Sequence, residues 1–239
     1  MELTFATYNI HKAVGLDRRR DPERILAVLH EIDADVIALQ EADRRFGARE
    51  SVLPRAMLDQ FGHWHPLPLA LRPASLGWHG NALLVRRGIE LADAGHVPLP
   101  TLEPRGAVWS DLLVGGRRVR VIGMHLDLSG LRRREQLRVI LAHLEHCGPP
   151  CPTVLMGDTN EWSTHGGALA ELRDTWQVLA SGRSFHARRP SATLDRIVVS
   201  PHWRVLDTQV HRSALAARAS DHLPVWARLV LPKNWADNE

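Results

Sequence analysis

Two short segments of the chain set acids beside groups that carry protons or donate hydrogen bonds. Ser220-Asp221-His222-Leu223-Pro224-Val225 places an Asp-His pair directly before an apolar run, and Gly157-Asp158-Thr159-Asn160 follows another, Thr153 to Met156. Packing gives no reason for two titratable groups where a core strand begins, or for a carboxylate and an amide two apart where one ends. An imidazole changes charge near neutral pH, and a carboxylate binds a hard cation. Together they are the parts of metal-assisted hydrolysis.

The pattern recurs. The first apolar run ends at Asn9-Ile10-His11, the run from Asp35 to Leu39 ends at Gln40-Glu41, and a run after Gly115-Gly116 ends at His125. Asp195 sits at the start of Leu194-Asp195-Arg196-Ile197-Val198. Counting Asp158 with Asn160 and Asp221-His222, six strand-like segments each deliver a carboxylate, amide or imidazole at one end. Singly, each has a structural explanation: an Asn caps, an Asp makes a turn, a His is satisfied in a core. Six together imply strand ends that converge on a site.

The elements that position these residues are legible in outline. Leu3 to Tyr8 reads as a strand, and Asp21-Pro22-Glu23 as a helix start, with Ile25, Leu26, Leu29 and Ile32 on one face. Asp35 to Leu39 is nearly all apolar, which predicts a strand buried on both faces. A second helix is expected over Val52 to Phe61, and strands over Gly80 to Val85 and Val108 to Val114. Gly115-Gly116 predicts a hairpin turn into Arg117 to Leu126. A long helix from Leu131 to His146 is stopped by Gly148-Pro149-Pro150. Strands at Val154 to Met156, Leu194 to Val199 and Val225 to Leu231 and a helix over Ala168 to Trp176 complete the reading. Strands and hairpins mixed with helices argue for mixed sheets with helices outside, in a single domain over residues 1–239.

Composition narrows the classes. The chain has 239 residues, 44% hydrophobic and 24% charged, which is ordinary for a globular protein. No run approaches the roughly 18 apolar residues of a membrane span, and the N-terminus reads as a strand rather than a signal peptide, so the expected location is the cytoplasm. Cys147 and Cys151 make no disulfide framework. Lys12 and Lys233 are the only lysines among 30 basic residues. Biased codon usage accounts for such an excess of arginine, as does phosphate binding. The arginines come in short scattered runs, which describes a solvated surface rather than a nucleic-acid face.

At this point a resemblance is plain. Thr7-Tyr8-Asn9-Ile10-His11, Leu39-Gln40-Glu41, Gly80-Asn81-Ala82-Leu83-Leu84, Met124-His125-Leu126, Gly157-Asp158-Thr159-Asn160, Leu194-Asp195-Arg196-Ile197 and Ser220 to Val225 resemble, in order, the motifs of the endonuclease/exonuclease/phosphatase superfamily. The resemblance implies an α+β, DNase I-like, four-layer αββα sandwich, with two mixed sheets face to face and helices on both outer sides. It implies a Mg²⁺-dependent phosphoesterase, with Mn²⁺ as a substitute metal. In that frame Glu41 is the leading metal ligand, with Asn9 beside it and Asp221 as a second contact. Asp195 orients His222, which serves as general base or phosphate contact; Asp158 is its rival for orienting the attacking water. Asn160 and His125 donate to the phosphate in the transition state, and Arg105 and Asn81 contact the substrate phosphate. AP endonucleases of the superfamily carry a tyrosine where this chain has His125, so that motif resembles the DNase I and sphingomyelinase-type members, while the opening Asn9 to Asp17 looks most like small bacterial members of the superfamily.

Other signals have plainer explanations. His143, His146, Cys147 and Cys151 could bind zinc by spacing, but Gly148-Pro149-Pro150 constrains their loop. His63-Trp64-His65 reads as a loop with exposed imidazoles. Trp162 and Trp78 adjoin motif segments and are the tryptophans placed to stack on substrate. The favoured function is hydrolysis of a small or lipid-derived phosphodiester by a monomer. The rival is a DNA or RNA endonuclease or exonuclease of the DNase I type, and a catalytically silent binding module is a third reading.

Overall fold

Apolar runs too short for helices and buried on both faces become the centres of two sheets. The computed structural model describes residues 1–101, 105–164 and 166–231. Strand β1 (Glu2–Asn9) runs parallel to β2 (Val36–Gln40), with Asn9 opposite Gln40. Every residue of β2 is buried, as its unbroken apolar pattern requires. Helix α1 (Pro22–Ile32) makes the crossover; the Asp21 carboxylate caps it by accepting from the Arg24 backbone N–H at 3.0 Å. Ile25, Leu26, Val28 and Leu29 are its buried face.

Helix α2 (Arg55–Phe61) starts later than the sequence predicts, because Pro54 occupies its N-cap and Val52 and Leu53 are buried in the preceding loop. The segment expected as a loop with exposed imidazoles is instead β3 (Trp64–Pro66); the Trp64 ring is buried and its indole N–H donates to the Ala34 carbonyl at 2.8 Å. It pairs with β4 (Ala82–Arg86). The second sheet begins with β5 (Glu90–Val97) and β6 (Gly106–Val114). Gly115 and Gly116, at φ of 57° and 77°, then turn the chain into β7 (Arg117–His125). Helix α3 (Gly130–His146) crosses over to β8 (Thr153–Asp158), parallel to β7.

The helix expected over Ala168 to Trp176 is a 3₁₀ stretch, Gly167–Thr175. Its buried Leu169 and Leu172 are three apart, the spacing at which a 3₁₀ turn stacks side chains. Strands β9 (Gln177–Val178) and β10 (Asp195–Val199) finish the second sheet; β11 (Arg204–Val210), helix α4 (Ala216–Ala219) and β12 (Val225–Val230) return to the first. The sheet orders are β11-β12-β1-β2-β4-β3 and β5-β6-β7-β8-β10-β9.

Strand alternation builds the layers. Val121, Val154 and Ile197 join the core between the sheets, whereas their neighbours Ile122, Leu155 and Val198 pack with Leu137 and Ile140 of α3 and with Leu169 and Leu172. The result is a DNase I-like arrangement of two mixed sheets with helices outside. Each sheet has one parallel pair flanked by antiparallel strands. The pair therefore ends where its antiparallel neighbours begin. Asn9 and Gln40 share an edge with the starts of β4 and β12, and His125 and Asp158 share one with the starts of β6 and β10.

At that edge β7 and β8 approach closely: a Cβ built on Gly157 would lie 1.8 Å from the Met124 carbonyl oxygen. Gly157→Ala should therefore cost roughly 3 kcal/mol, as overpacking beside backbone does. Urea unfolding measures it, and a midpoint equal to wild type would show that the strands can separate without penalty.

Candidate active site

The residues at these strand ends form one line of hydrogen bonds and ion pairs. Asp195 begins β10 opposite Asp158, the last residue of β8, and Asp158 in turn faces His125, the last of β7. The Asp195 carboxylate accepts from His222 Nδ1 at 2.8 Å and from the Ser184 hydroxyl at 2.5 Å. The far side of the His222 ring, Nε2, lies 3.7 Å from Asp158 Oδ2. Asn9, arriving from the other sheet, donates its amide to that same oxygen at 2.9 Å, and His125 Nε2 is 3.4 Å from it. The other Asp158 oxygen accepts the Asn160 backbone N–H at 2.9 Å, closing a tight local turn. Asn160 adopts a left-handed φ of 48°, and its side-chain amide donates to the Leu126 carbonyl at 2.9 Å.

The two histidines are driven in opposite directions. Burial alone would lower His222, but the carboxylates of Asp195 and Asp158 outweigh it and raise its pKa to about 10. Burial dominates at His125 and, helped by the neighbouring Arg105 guanidinium and His222, lowers it to about 3 against the pull of Asp158. At neutral pH His222 is an imidazolium between two carboxylates, and His125 is neutral and receives a hydrogen bond from Arg105. Arg105 also donates to the Leu126 carbonyl at 3.0 Å. Glu103 and Pro104, which precede it, lie outside the described residues.

Glu41 follows β2 with a left-handed φ of 56°, and Gly80 packs directly against its backbone. Its carboxylate, 22% exposed, accepts the Lys12 ammonium. Burial would raise Glu41, yet Lys12, His11 and Arg105 together hold it below its ordinary value. Lys12 sits in the turn His11–Ala13, whose three residues all have positive φ. Asp221 flanks this turn, its carboxylate 3.8 Å from His11 Nδ1. Ser220 anchors the segment by donating to the Asn9 carbonyl at 2.7 Å.

The structure thus joins Asn9, His125, Asp158, Asn160, Asp195, His222 and Arg105 directly. Glu41 is reached through Lys12, and Asp221 through His11. Asn81 is fully buried; its amide donates to the Gly106 carbonyl at 3.2 Å, while its Oδ1 has no partner among the described residues. Four contributors were not singled out from the sequence as site residues. Lys12 and Ser184 make the contacts described above. The Phe185 ring lies 4.8 Å from the His222 ring and is met edge-on by Trp162. Arg196 is buried and donates to the carbonyls of Glu161 and Ser163, both at 2.8 Å, tying β10 to the loop that holds Asn160. An arginine inside an otherwise apolar strand was the one available signal.

Two places could take a cation. Asp158, Asp195 and His222 offer donor atoms within 4.8 Å of one another, but these already satisfy each other. Glu41 suits a hard, hydrated ion better: it is partly open to solvent and already draws a cation, the Lys12 ammonium, to its oxygen. The His143 and Cys147 side chains contact each other, with Sγ 3.0 Å from Nε2, and no metal-like group forms there among the described residues.

The family profile described as Endonuclease/Exonuclease/phosphatase family matches residues 6–222, from β1 through His222. The chain belongs to the Endonuclease/Exonuclease/phosphatase family. Uncharacterized protein YbhP of Escherichia coli strain K12 is 27% identical over 253 residues, covering 94% of this chain and 95% of its own length. An endonuclease/exonuclease/phosphatase from Bacteroides vulgatus superposes with a TM-score of 0.79 at 19% identity, over 97% of this chain and 100% of that one. A mannosyl-6-phosphatase from Bacteroides thetaiotaomicron VPI-5482 does so with a TM-score of 0.74 at 20% identity, over 96% and 100%. At these identities the two structures establish the shared fold. Family members are phosphoesterases and nucleases, a class that uses divalent metals.

Because the His222 pKa is raised on folding, its stabilising contribution is complete below the unfolded value of 6.5 and is lost as pH rises through about 10. Asp195→Asn removes the charge that does most to raise it, so the His222 pKa should fall. NMR titration of the imidazole measures this, and the variant's stability should decline less between those pH values than wild type does. An unchanged His222 titration would mean that Asp195 does not set the charge of the ring.

Proposed function

We propose that the protein is a Mg²⁺-dependent phosphoesterase that cleaves a phosphodiester of a small or lipid-derived molecule. The observation that carries this reading is the continuous line Asp195–His222–Asp158, met from the opposite sheet by Asn9. It supplies a charged donor and a carboxylate acceptor at one point. The His222 imidazolium offers positive charge to a phosphoryl oxygen, and Asp158 accepts a proton from the attacking water as the new P–O bond forms. The bond to the leaving alcohol breaks, and that oxygen takes its proton from solvent. Asn160 and Arg105 stabilise the charge that grows on the equatorial oxygens. A hard divalent cation held at Glu41, flanked by Asn9 and Asp221, would supply Lewis-acid polarisation of the phosphoryl group. Asn81, buried beneath the start of β6, acts on the phosphate by fixing the backbone next to Arg105. The reading takes the chain as a cytoplasmic monomer with one domain.

The nuclease reading has one observation of its own. Trp162 is 62% exposed and stands edge-on to Phe185 beside His222, where an unstacked base could lie. The silent-module reading would need Glu41, Asp158, Asp195 or His222 to be lost, and all four are present.

Hydrolysis of bis-p-nitrophenyl phosphate, plasmid DNA and phospholipid, each with Mg²⁺, Mn²⁺ or EDTA, tests the proposal. EDTA should abolish turnover, and His222→Ala and Asp158→Asn should each lower the rate by roughly 10²- to 10⁴-fold while circular dichroism stays native. Both variants turning over near the wild-type rate would sink the mechanism. DNA cleavage without small-diester cleavage would favour the nuclease.

Lys12 and a divalent cation compete for the same Glu41 oxygen. Lys12→Met should therefore raise Mn²⁺ affinity by about tenfold, read by titration calorimetry in the absence of substrate. Unchanged affinity would place the metal away from Glu41.

A further inference from the structure

Lys12 is placed by a turn that leaves its side chain, and not its backbone, free to move. His11, Lys12 and Ala13 hold φ of 45°, 56° and 58°, values that residues with a Cβ rarely adopt. Hydrogen bonds fix the turn along its length. The Ala13 N–H donates to the Ile10 carbonyl at 2.8 Å, and the Val14 N–H to the His11 carbonyl at 3.0 Å. Asn9 Oδ1 accepts the His11 N–H at 3.1 Å, and the Ala13 carbonyl accepts the Asp21 N–H at 2.8 Å. The Lys12 carbonyl itself accepts from Arg20 Nε at 3.2 Å. Strain of this kind gathers at active sites and persists where the surroundings impose it. What it aims here is a flexible four-carbon stem tipped by an ammonium. That side chain is 31% exposed and set on Glu41.

Lys12 also lines the cleft that Glu41 shares with Arg105 and His125. Burial first, then the charges of Arg105, His222 and Lys12, lower the His125 pKa, so the Lys12 charge is felt at that ring as well as at Glu41. An ammonium and a divalent cation repel each other and cannot share one carboxylate oxygen. When the Glu41 oxygen is taken by a metal, Lys12 must therefore point elsewhere. Among the described residues lining the cleft the other acid is Asp43. It is buried, and its carboxylate already accepts the backbone N–H groups of Leu76 at 2.6 Å and Gly77 at 3.3 Å. Farther along, Asp221 faces His11, and Asp158 is held by Asn9 and His222. None of these carboxylates stands open to receive the ammonium. The counter-charge it lacks is an anion brought into the cleft from outside.

We infer that Lys12 is a phosphate-binding residue of the metal-loaded enzyme: displaced from Glu41, its ammonium turns to a non-bridging oxygen of the scissile phosphate. Lys12 thus has two duties, as counter-ion of Glu41 before the metal binds and as donor to the substrate afterwards. The inference rests on the phosphoesterase reading above and adds a catalytic residue to it. A point charge on a flexible stem can follow the equatorial oxygens as their charge grows. It also couples the two ligands. Metal binding frees Lys12 for the phosphate, and the phosphate, by holding Lys12, frees Glu41 for the metal, as reciprocal linkage requires.

The test separates this role from that of a Lys12 that only neutralises Glu41. Binding of methylphosphonate, which has no ester to cleave, is measured by titration calorimetry at saturating Mg²⁺. Lys12→Met should weaken it by about tenfold, the loss of one charge-assisted hydrogen bond. The same variant should bind Mn²⁺ more tightly when phosphonate is absent. Lys12→Arg keeps the charge and should stay within about threefold of wild type on phosphonate. Circular dichroism should be native for both. A mere counter-ion predicts the opposite sign: Lys12→Met would bind methylphosphonate as tightly as wild type or more so, and that result would overturn the inference. Mn²⁺ affinity left unchanged by Glu41→Gln would overturn it too, since Lys12 would then never be displaced. Hydrolysis of bis-p-nitrophenyl phosphate, plasmid DNA and phospholipid is followed in parallel. Metal-dependent turnover with phosphonate binding unaffected in Lys12→Met sinks the Lys12 role alone. Lys12-dependent phosphonate binding without turnover of any of the three sinks the phosphoesterase reading, while the contact between Lys12 and phosphate stands.

Discussion

A buried carboxylate must be compensated, and Asp158 is the one around which this site closes. Ionised groups leave water at a cost of several kcal/mol unless paired and hydrogen-bonded. Asp158 is compensated by the Asn9 amide, the Asn160 backbone N–H and the His222 imidazolium. These come from β1, from the turn after β8 and from the segment before β12. Two belong to the first sheet and one to the second. The carboxylate therefore holds the two sheets in one relation at this edge, and the same contacts that stabilise it set the spacing of the reactive groups.

The topology explains why the polar residues gather here. One parallel pair per sheet, flanked by antiparallel strands, sends C-terminal ends and N-terminal starts to the same edge. The chain leaves these strands by strained routes. Glu41, Asn160 and the turn His11–Ala13 all take positive φ without glycine. Such conformations cost about 1–3 kcal/mol each and persist where the surroundings determine them. Here Gly80 packed on Glu41, the Asp158–Asn160 hydrogen bond and the Lys12–Glu41 pair are those determinants.

How far the sequence carries depends on the range of each interaction. The central strands, the Asp21 cap and the Gly115-Gly116 hairpin follow from local pattern, and they stand in the structure at nearly the expected residues. Strands β5 and β11 were not anticipated because each buries only its last residue and carries no clear apolar alternation. Strand β3 was hidden because Trp64 lies in sequence between two histidines that mimic a polar loop. At the site, residues tied to strand ends could be read along the chain. Lys12, Ser184 and Phe185 could not, since each acts on a group in another element, 11 residues away for Ser184 and 29 for Lys12, and belongs to no local pattern. Asn81 shows the converse: its motif is local, but its contact with Gly106, the residue after Arg105, appears only in three dimensions.

The two histidines show what the fold adds to residue type. Both rings face the same Asp158 oxygen and both are almost fully buried, so neither distance to the shared acid nor burial separates them. What separates them is the second group at each ring. His222 has Asp195 at Nδ1, itself held by the Ser184 hydroxyl, and stays charged; His125 has the Arg105 guanidinium at the same Nε2 that faces Asp158 and stays neutral. Opposed environments around one carboxylate thus produce a cationic donor and a neutral ring a few ångströms apart, the division of labour that acid–base chemistry at neutral pH requires. An Asp, a His and an Arg on three different strand ends decide it, and no one of their motifs contains that information alone.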